Sequence, residues 1–273
     1  MTILAIETAT RCIGCALWGG DGPVASFELV AGQRHSEVLM PAVDELCERA
    51  GVSKSEIGGV VADVGPGLFT GLRVGLATAV AIATGRGIPA AGVTSLEALA
   101  HRVRHRRGLV ASVVDARRGE VFWSLYRSDG ESLLELRGPS VALPEEAAAE
   151  VARAALSPGA ARSVSAASGA GGGSSGRAAE GDPPVLVVGD GGWRYRDVFE
   201  AAGCEHAGPL GVWPSCLAVA ELGLGRLAAG TGLLGAPAVA LAPVYLRQAD
   251  VRVGWEEVGG RVGPGAAPGG DAG

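Results

Sequence analysis

The sequence predicts an α/β chain of two similar lobes, each a mixed sheet flanked by helices. Three observations predict it. Apolar runs of strand length alternate with segments of helical period. A pattern of strand, acid, polar turn, strand, strand and helix begins at residue 3 and begins again near residue 109, a repeat carried by pattern more than by residues. Hydrophobic residues make up 48 % of the 273 but aromatics only 4 %, so the core must be built from Val, Leu, Ile and Ala.

Residues 3–6 form an apolar run ending in Glu7, followed by the polar turn Thr8-Ala9-Thr10-Arg11. Residues 13–18 are apolar again, Gly19-Gly20-Asp21-Gly22 reads as a tight turn, and residues 24–30 alternate as a third strand. Val38, Leu39, Ala42, Val43, Leu46 and Ala50 recur at three and four, marking a helix capped by Ser36 and closed by Gly51. Residues 57–64 are a buried strand running into Gly65-Pro66-Gly67-Leu68-Phe69-Thr70-Gly71. Residues 72–83 are a second helix, apolar nearly all round and stopped by Gly85. A strand at 88–93 and a helix from Thr94 or Ser95 through Val103 complete the first half.

In the second half, residues 109–114 end in Asp115, with strands at 120–127 and 133–141 and a helix at 144–156. The core resumes at 185–188, passes Gly189-Asp190-Gly191-Gly192, and continues in helices at 195–202 and 217–229. Two such halves correspond to two ribonuclease-H-like lobes, the architecture of the actin, Hsp70 and sugar-kinase group. The expected organisation is an N-terminal lobe over 1–107 and a C-terminal lobe over 108–250. Within the latter, a Gly/Ser-rich insertion at 157–184 is expected to be flexible, and residues 251–273 are expected to form a mostly disordered tail.

Composition excludes several classes. The core-forming runs rule out a fully disordered or collagen-like chain despite 45 Gly and 15 Pro. A net charge of −6 argues against a strongly basic nucleic-acid-binding protein, leaving only a local patch open. All but one of the basic residues are Arg, which reads as compositional bias. The start lacks a basic region followed by a long apolar stretch, and no apolar run reaches the ~18 residues of a membrane span, so a cytoplasmic location is expected. Five scattered Cys imply no disulfide framework, and the lone Cys12-x-x-Cys15 lacks the second ligand pair that zinc needs.

Three segments could carry chemistry. The turn after Glu7 has the place of a phosphate-binding hairpin, with Glu7, Thr8 and Thr10 as candidate nucleotide-binding residues. Ala9 stands where glycine would let phosphate approach, so the loop is degraded. The 65–71 segment could hold an anion at a helix start, but it lacks the Lys of a Walker loop; otherwise it is a strand-to-helix turn capped by Thr70. His101 and His105 are spaced i, i+4, yet Arg102, Arg104, Arg106 and Arg107 surround them, which favours a solvated face over a metal site.

In order along the chain stand Ile-Leu-Ala-Ile-Glu-Thr-Ala-Thr at 3–10, Arg34-His35-Ser36, Gly-Pro-Gly-Leu-Phe-Thr-Gly-Leu-Arg-Val-Gly at 65–75 and Gly-Val-Thr-Ser-Leu-Glu-Ala-Leu-Ala at 92–100. Asp-Ala-Arg-Arg-Gly-Glu-Val at 115–121, Gly189-Asp190-Gly191 and Pro-Val-Tyr-Leu-Arg at 243–247 follow. Together these resemble the bacterial TsaB (YeaZ) family, the accessory subunit of tRNA threonylcarbamoyladenosine biosynthesis. The resemblance implies a non-catalytic chain that docks on its catalytic paralogue TsaD. It also implies the TsaE ATPase as a further partner, a homodimer when alone, and contact with tRNA only through the complex. No membrane association is implied.

TsaD holds its metal with a His-x-x-x-His pair; laid on this sequence, that motif falls on Ser95 and Leu99, so no metal and no catalytic residue are implied here. No tightly bound cofactor is implied, which leaves room for weak ATP or ADP binding in the complex. The family's two-helix docking face would carry His35, Leu39, Val43, Leu46, Leu72, Leu76 and Val80. The competing readings are an ATP-dependent kinase of the actin-like group and an independent peptidase. The first would need a second phosphate loop with Gly and Thr, and Gly189–Gly192 has no Thr.

Overall fold

The computed structural model describes residues 1–30, 32, 34–156, 183–229 and 241–246. Almost all of the 157–184 insertion and the whole of the 251–273 tail lie outside the described residues.

The first sheet contains β1 (Thr2–Glu7), β2 (Cys12–Gly19), β3 (Gly22–Val30), β4 (Ile57–Asp63) and β5 (Ala90–Val93), in the order β3-β2-β1-β4-β5. The β1–β2 and β2–β3 pairs are antiparallel, and β1–β4 and β4–β5 are parallel. The second sheet contains β6 (Gly108–Arg117), β7 (Glu120–Ser128), β8 (Leu133–Ala142), β9 (Leu186–Val188) and β10 (Glu205–His206), in the order β10-β9-β6-β7-β8. Its pairs follow the same senses. The two-lobe α/β fold is therefore as the sequence predicts, and the pattern repeat is a topological repeat. The short β10 had no sequence signal.

Helices α1 (His35–Ala50) and α2 (Phe69–Arg86) cover the outer face of the first sheet, where Leu39, Val43, Leu72, Leu76 and Ala79 pack on Leu4, Ile6, Val60 and Ala62. Their C-termini close on Gly51 and Gly87, both left-handed at φ 65° and 63°, so α2 runs through Gly85 and stops two residues beyond it. Helix α1 starts at His35, so Ser36 is inside the helix and does not cap it.

The remaining helices are α3 (Ser95–Arg102), α4 (Pro144–Leu156), α5 (Asp190–Arg194), α6 (Arg196–Ala201) and α7 (Cys216–Ala228). The outer face of the second sheet is covered by α4 and α6 through Ala147, Ala148, Val151 and Phe199. Between the sheets, α3 and α7 are exchanged. Helix α3 lies on the second sheet, with Leu96, Leu99 and Ala100 among Val110, Val114, Phe122 and Tyr126. Helix α7 lies on the first, with Cys216, Val219, Ala220 and Leu227 among Ile3, Ala5, Val61 and Val93. A Cβ on Gly223 would overlap Val61, so glycine sets how close α7 comes.

The basic segment at the end of α3 is paired more than the sequence suggests, although His105 and Arg107 are exposed. Arg104 and His101 both reach Glu221 of α7, at 2.8 and 3.0 Å. Arg102 donates to the Trp213 carbonyl at 2.8 Å, and Arg106 pairs with Glu205 at 2.7 Å. The sequence placed no acid nearby because Glu221 is more than a hundred residues away.

The residues expected on a docking face require the main correction. His35, Leu39, Val43, Leu46, Leu72 and Leu76 are all buried in this chain, and Val80 is half-buried against the same core. A helix with one apolar stripe gives that stripe to its own sheet first. Periodicity locates the stripe but does not say what covers it. The outward faces carry Glu37, Met40, Asp44 and Glu48 on α1 and Phe69, Arg73, Ala77 and Ala81 on α2. Val43→Glu therefore places an unpaired carboxylate in the core, at a cost on the order of 4 kcal/mol. The variant is expected to melt about 10 °C or more below the parent in a thermal scan; a parent-like melting curve would show that Val43 faces outward.

Candidate functional site

Strand β1 delivers Glu7 to the end of the first sheet, and there the chain turns on itself through its own side chains. Glu7 Oε1 accepts from the Ala9 N–H at 3.0 Å and from the Thr10 hydroxyl at 3.4 Å. Thr10 Oγ1 in turn accepts from the Cys12 N–H at 3.2 Å. The carboxylate thus occupies the amide that a bound anion would use. Glu7, Thr8, Ala9 and Thr10 are all buried.

The 65–75 segment covers the turn. The Leu68 N–H donates to the Ala9 carbonyl at 2.6 Å, and the Thr8 hydroxyl donates to the Gly71 carbonyl at 2.9 Å. His35 Nε2 lies 2.9 Å from the Thr10 carbonyl. A Cβ at Gly67 would overlap the Ala9 carbonyl oxygen, one at Gly71 that of Thr8, and one at Gly75 the Thr8 hydroxyl. The glycines of the most distinctive block in the sequence thus admit a second stretch of the same chain. Leu68 is the N-cap of α2 without a side-chain cap bond, and Thr70 is exposed and does not cap it. The structure brings Glu7, Thr8 and Thr10 together as the sequence suggests, but each is already partnered within the chain.

Beside this turn lies a residue the sequence reading passed over. Asp63 ends β4, is buried, and accepts from the Gly65 N–H at 2.7 Å and the Ser95 hydroxyl at 2.8 Å. Its Oδ2 and Glu7 Oε2 have no hydrogen-bond partner. Burial pushes the Asp63 carboxyl up to about 7, and burial with the neighbouring Asp63 charge pushes Glu7 well above its ordinary range. The available signal was an acid at the end of an apolar strand, the same signal that drew attention to Glu7 and Asp115.

The positions laid on a metal-binding His pair are filled otherwise: Ser95 bonds Asp63, and Leu99 is core. Among the described residues no group of three or more His, Cys, Asp or Glu is placed to hold a metal ion. Cys12 and Cys15 are buried, and burial pushes both thiols up to about 12, so they act as small apolar strand residues.

The second lobe repeats the arrangement. Asp115 Oδ1 accepts from the Arg117 N–H at 2.9 Å. Its Oδ2 lies 3.2 Å from Arg117 Nη1 and 3.5 Å from Arg194 Nη1. Asp190 Oδ1 accepts from the Asp115 N–H at 3.0 Å. Cβ atoms on Gly189 and Gly191 would overlap the backbone at residues 113–115. The 189–192 glycines therefore serve close packing on β6, as the 65–75 glycines do on β1.

A family model described as TsaD, tRNA N6-adenosine threonylcarbamoyltransferase, matches residues 29–192. The chain is similar to the tRNA threonylcarbamoyladenosine biosynthesis protein TsaB of Bacillus subtilis (strain 168). Identity is 39 % over 127 residues, 46 % of this chain and 56 % of that protein. It is 39 % identical to the TsaB protein of Escherichia coli (strain K12) over 132 residues, 47 % of this chain and 56 % of that one. The chain spans about half the length of the curated relatives it matches. Among solved structures, YeaZ from Pseudomonas aeruginosa aligns with a TM-score of 0.69 at 25 % identity, covering 90 % of this chain and 99 % of that chain.

Two outcomes are expected at the first turn. Gly67→Ala forces backbone apart from backbone and should cost ~1–3 kcal/mol in denaturant unfolding; an unchanged midpoint would show that the contact is loose. The raised carboxyl pair gives a pH signature. Between the ordinary carboxylate range near 4 and about 7, the folded chain holds a proton that the unfolded chain has released, so stability falls as pH rises through that window. Asp63→Asn removes the Asp63 share of this loss while keeping the two accepted hydrogen bonds. Its melting temperature relative to the parent should therefore rise between about pH 5 and about pH 8; a constant difference would show that the pair is not coupled to folding.

Proposed function

Because the chain belongs to the TsaB/YeaZ branch of the TsaD (tRNA N6-adenosine threonylcarbamoyltransferase) family, we propose that it is an accessory subunit in tRNA threonylcarbamoyladenosine biosynthesis, docking on a catalytic TsaD paralogue and carrying out no catalysis itself. The observation that carries this reading is the sealed first turn. Where an actin-like enzyme of this fold would receive phosphate, Glu7 fills its own amide and the 65–75 segment covers it. No tightly held nucleotide and no metal belong to this reading. The TsaE ATPase, a homodimer in the absence of TsaD and a cytoplasmic location do. Among the described residues no helix is long and apolar enough to cross a membrane.

The proposed docking surface is the outer side of α1 and α2 rather than the buried stripe. Ala77 and Ala81 stand one turn apart on α2 and are exposed, so a partner helix can approach closely there. At the start of the same helix the Arg73 guanidinium lies 3.7 Å above the exposed Phe69 ring, and the Tyr245 ring stands 5.6 Å from it. Aromatic and Arg side chains of this kind anchor protein interfaces.

Mixing the chain with its TsaD and resolving the mixture by size exclusion tests the reading. Co-elution is expected, with Ala77→Glu/Ala81→Glu abolishing it while leaving the melting temperature near that of the parent. A stable complex formed by that double variant would place the docking surface elsewhere. Stoichiometric ATP turnover by the purified chain alone would end the non-catalytic reading.

A further inference from the structure

The hairpin joining β6 to β7 is built from unsuitable residues. Arg117 and Arg118 both have positive φ, 64° and 55°, and Gly119 follows at 83°. A two-residue turn with both centres left-handed favours Asn, Asp or Gly, because a Cβ is unfavourable there. The centres are Arg118 and Gly119: Gly119 meets that demand and Arg118 does not, while Arg117 is left-handed at the register shift just before the turn. The left-handed conformation at Arg117 is held by Asp115, whose carboxylate takes both its backbone N–H and its guanidinium. Strain maintained by a dedicated buried carboxylate points to a use for the side chains it presents.

Those side chains join a patch. Arg194 reaches the same Asp115 oxygen as Arg117, and both guanidinia are about half exposed. Arg194 also lies 5.6 Å from the Tyr195 ring, and Arg196 lies 5.7 Å from the exposed Trp193 ring. The acids are mostly beneath: Asp115 is buried, Asp190 takes a backbone N–H, and Glu120 stands opposite Arg117 in the hairpin. Asp197, 3.5 Å from Arg196, is the well-exposed one. The outer layer therefore offers guanidinium groups and an indole, with carboxylates below fixing some of them in place. Guanidinium forks match phosphate oxygens, and an exposed indole offers a face for a base to stack on.

We propose that Arg117, Arg118, Trp193, Arg194 and Arg196 form a contact surface for a single-stranded stretch of RNA. The tRNA-linked reading above enters only in choosing RNA over DNA; the patch itself is read from charge, exposure and rings. It lies on the second lobe, separate from the proposed docking face on α1 and α2.

The test uses the full chain and a fluorescently labelled RNA hairpin with an open loop, with a blunt RNA duplex as control, read by anisotropy at several salt concentrations. The hairpin should bind more tightly than the duplex. Arg118→Gln/Arg194→Gln should weaken hairpin binding by roughly tenfold or more and flatten the slope of log affinity against log salt by about 1.4, two single-strand phosphate contacts. Trp193→Ala should weaken it roughly 5- to 100-fold with the salt slope unchanged. Arg196→Gln serves as a second variant if thermal melting shows that the double variant has lost its fold.

Several results would overturn the proposal. They are no hairpin binding at low salt, variants that bind like the parent, or polyglutamate displacing the hairpin as well as unlabelled hairpin does, which would mark an acidic-protein surface. Displacement by micromolar ATP would mark a mononucleotide site instead. Co-elution with TsaD should be unaffected by these variants. If TsaD fails to co-elute with the parent while the hairpin binds, the docking reading fails and this one stands.

Discussion

At the end of β1 two stretches of backbone touch with no side chain between them. The carbonyls of Thr8 and Ala9 on one side meet the bare Cα atoms of Gly71 and Gly67 on the other. The first lobe is arranged around that contact. It sets where α2 begins, because the Leu68 N–H is tied to Ala9. It sets where α1 begins, because His35 reaches over to the Thr10 carbonyl. Beside it the parallel pairing of β1 with β4 places the buried Asp63 near the buried Glu7. The Ala9 amide is taken by Glu7, and the glycines of the 65–75 segment close over the turn.

How much of this was legible in the sequence depended on whether the controlling contact was local. Strands and helices are local, and the pattern of acid-ended apolar runs gave the chain order of every strand but the two-residue β10, including the repeat. The turn around Glu7 was also legible, because the polar stretch Thr8-Ala9-Thr10-Arg11 follows the apolar run. Asp63 was not singled out, since its importance comes from Glu7 and Ser95, which lie 56 and 32 residues away, brought close only by parallel pairing. The residues expected on a docking face proved to be buried for a related reason. The spacing of Leu39, Val43 and Leu46 gives the stripe, but only the sheet beneath shows that the stripe is already covered.

The arginines after α3 illustrate the limit from the other direction. Read along the chain, four cations around two histidines look destined for solvent. In three dimensions Arg104 and His101 meet Glu221, and Arg102 meets the Trp213 carbonyl. Ion pairs between partly exposed groups contribute modestly to stability. Their effect here is geometric: they fix α3 against α7 at the level where the two sheets face each other. Along the chain each of these charges has only cations beside it, whereas the fold pairs His101 and Arg104 with an acid from the other half.

The exchange of α3 and α7 between the sheets bears on how such a chain could be divided. Each sheet has one face covered by helices from its own half and the other covered by a helix contributed from across the boundary. A gene cut between residues 107 and 108 would encode two polypeptides, each keeping an apolar helix that belongs on the other and each leaving half a sheet bare. Neither fragment is a self-sufficient unit, yet each carries the piece the other lacks. Co-expressed fragments would therefore be drawn to reassemble by trading helices, and the boundary between the halves is a natural point for a split-protein reporter.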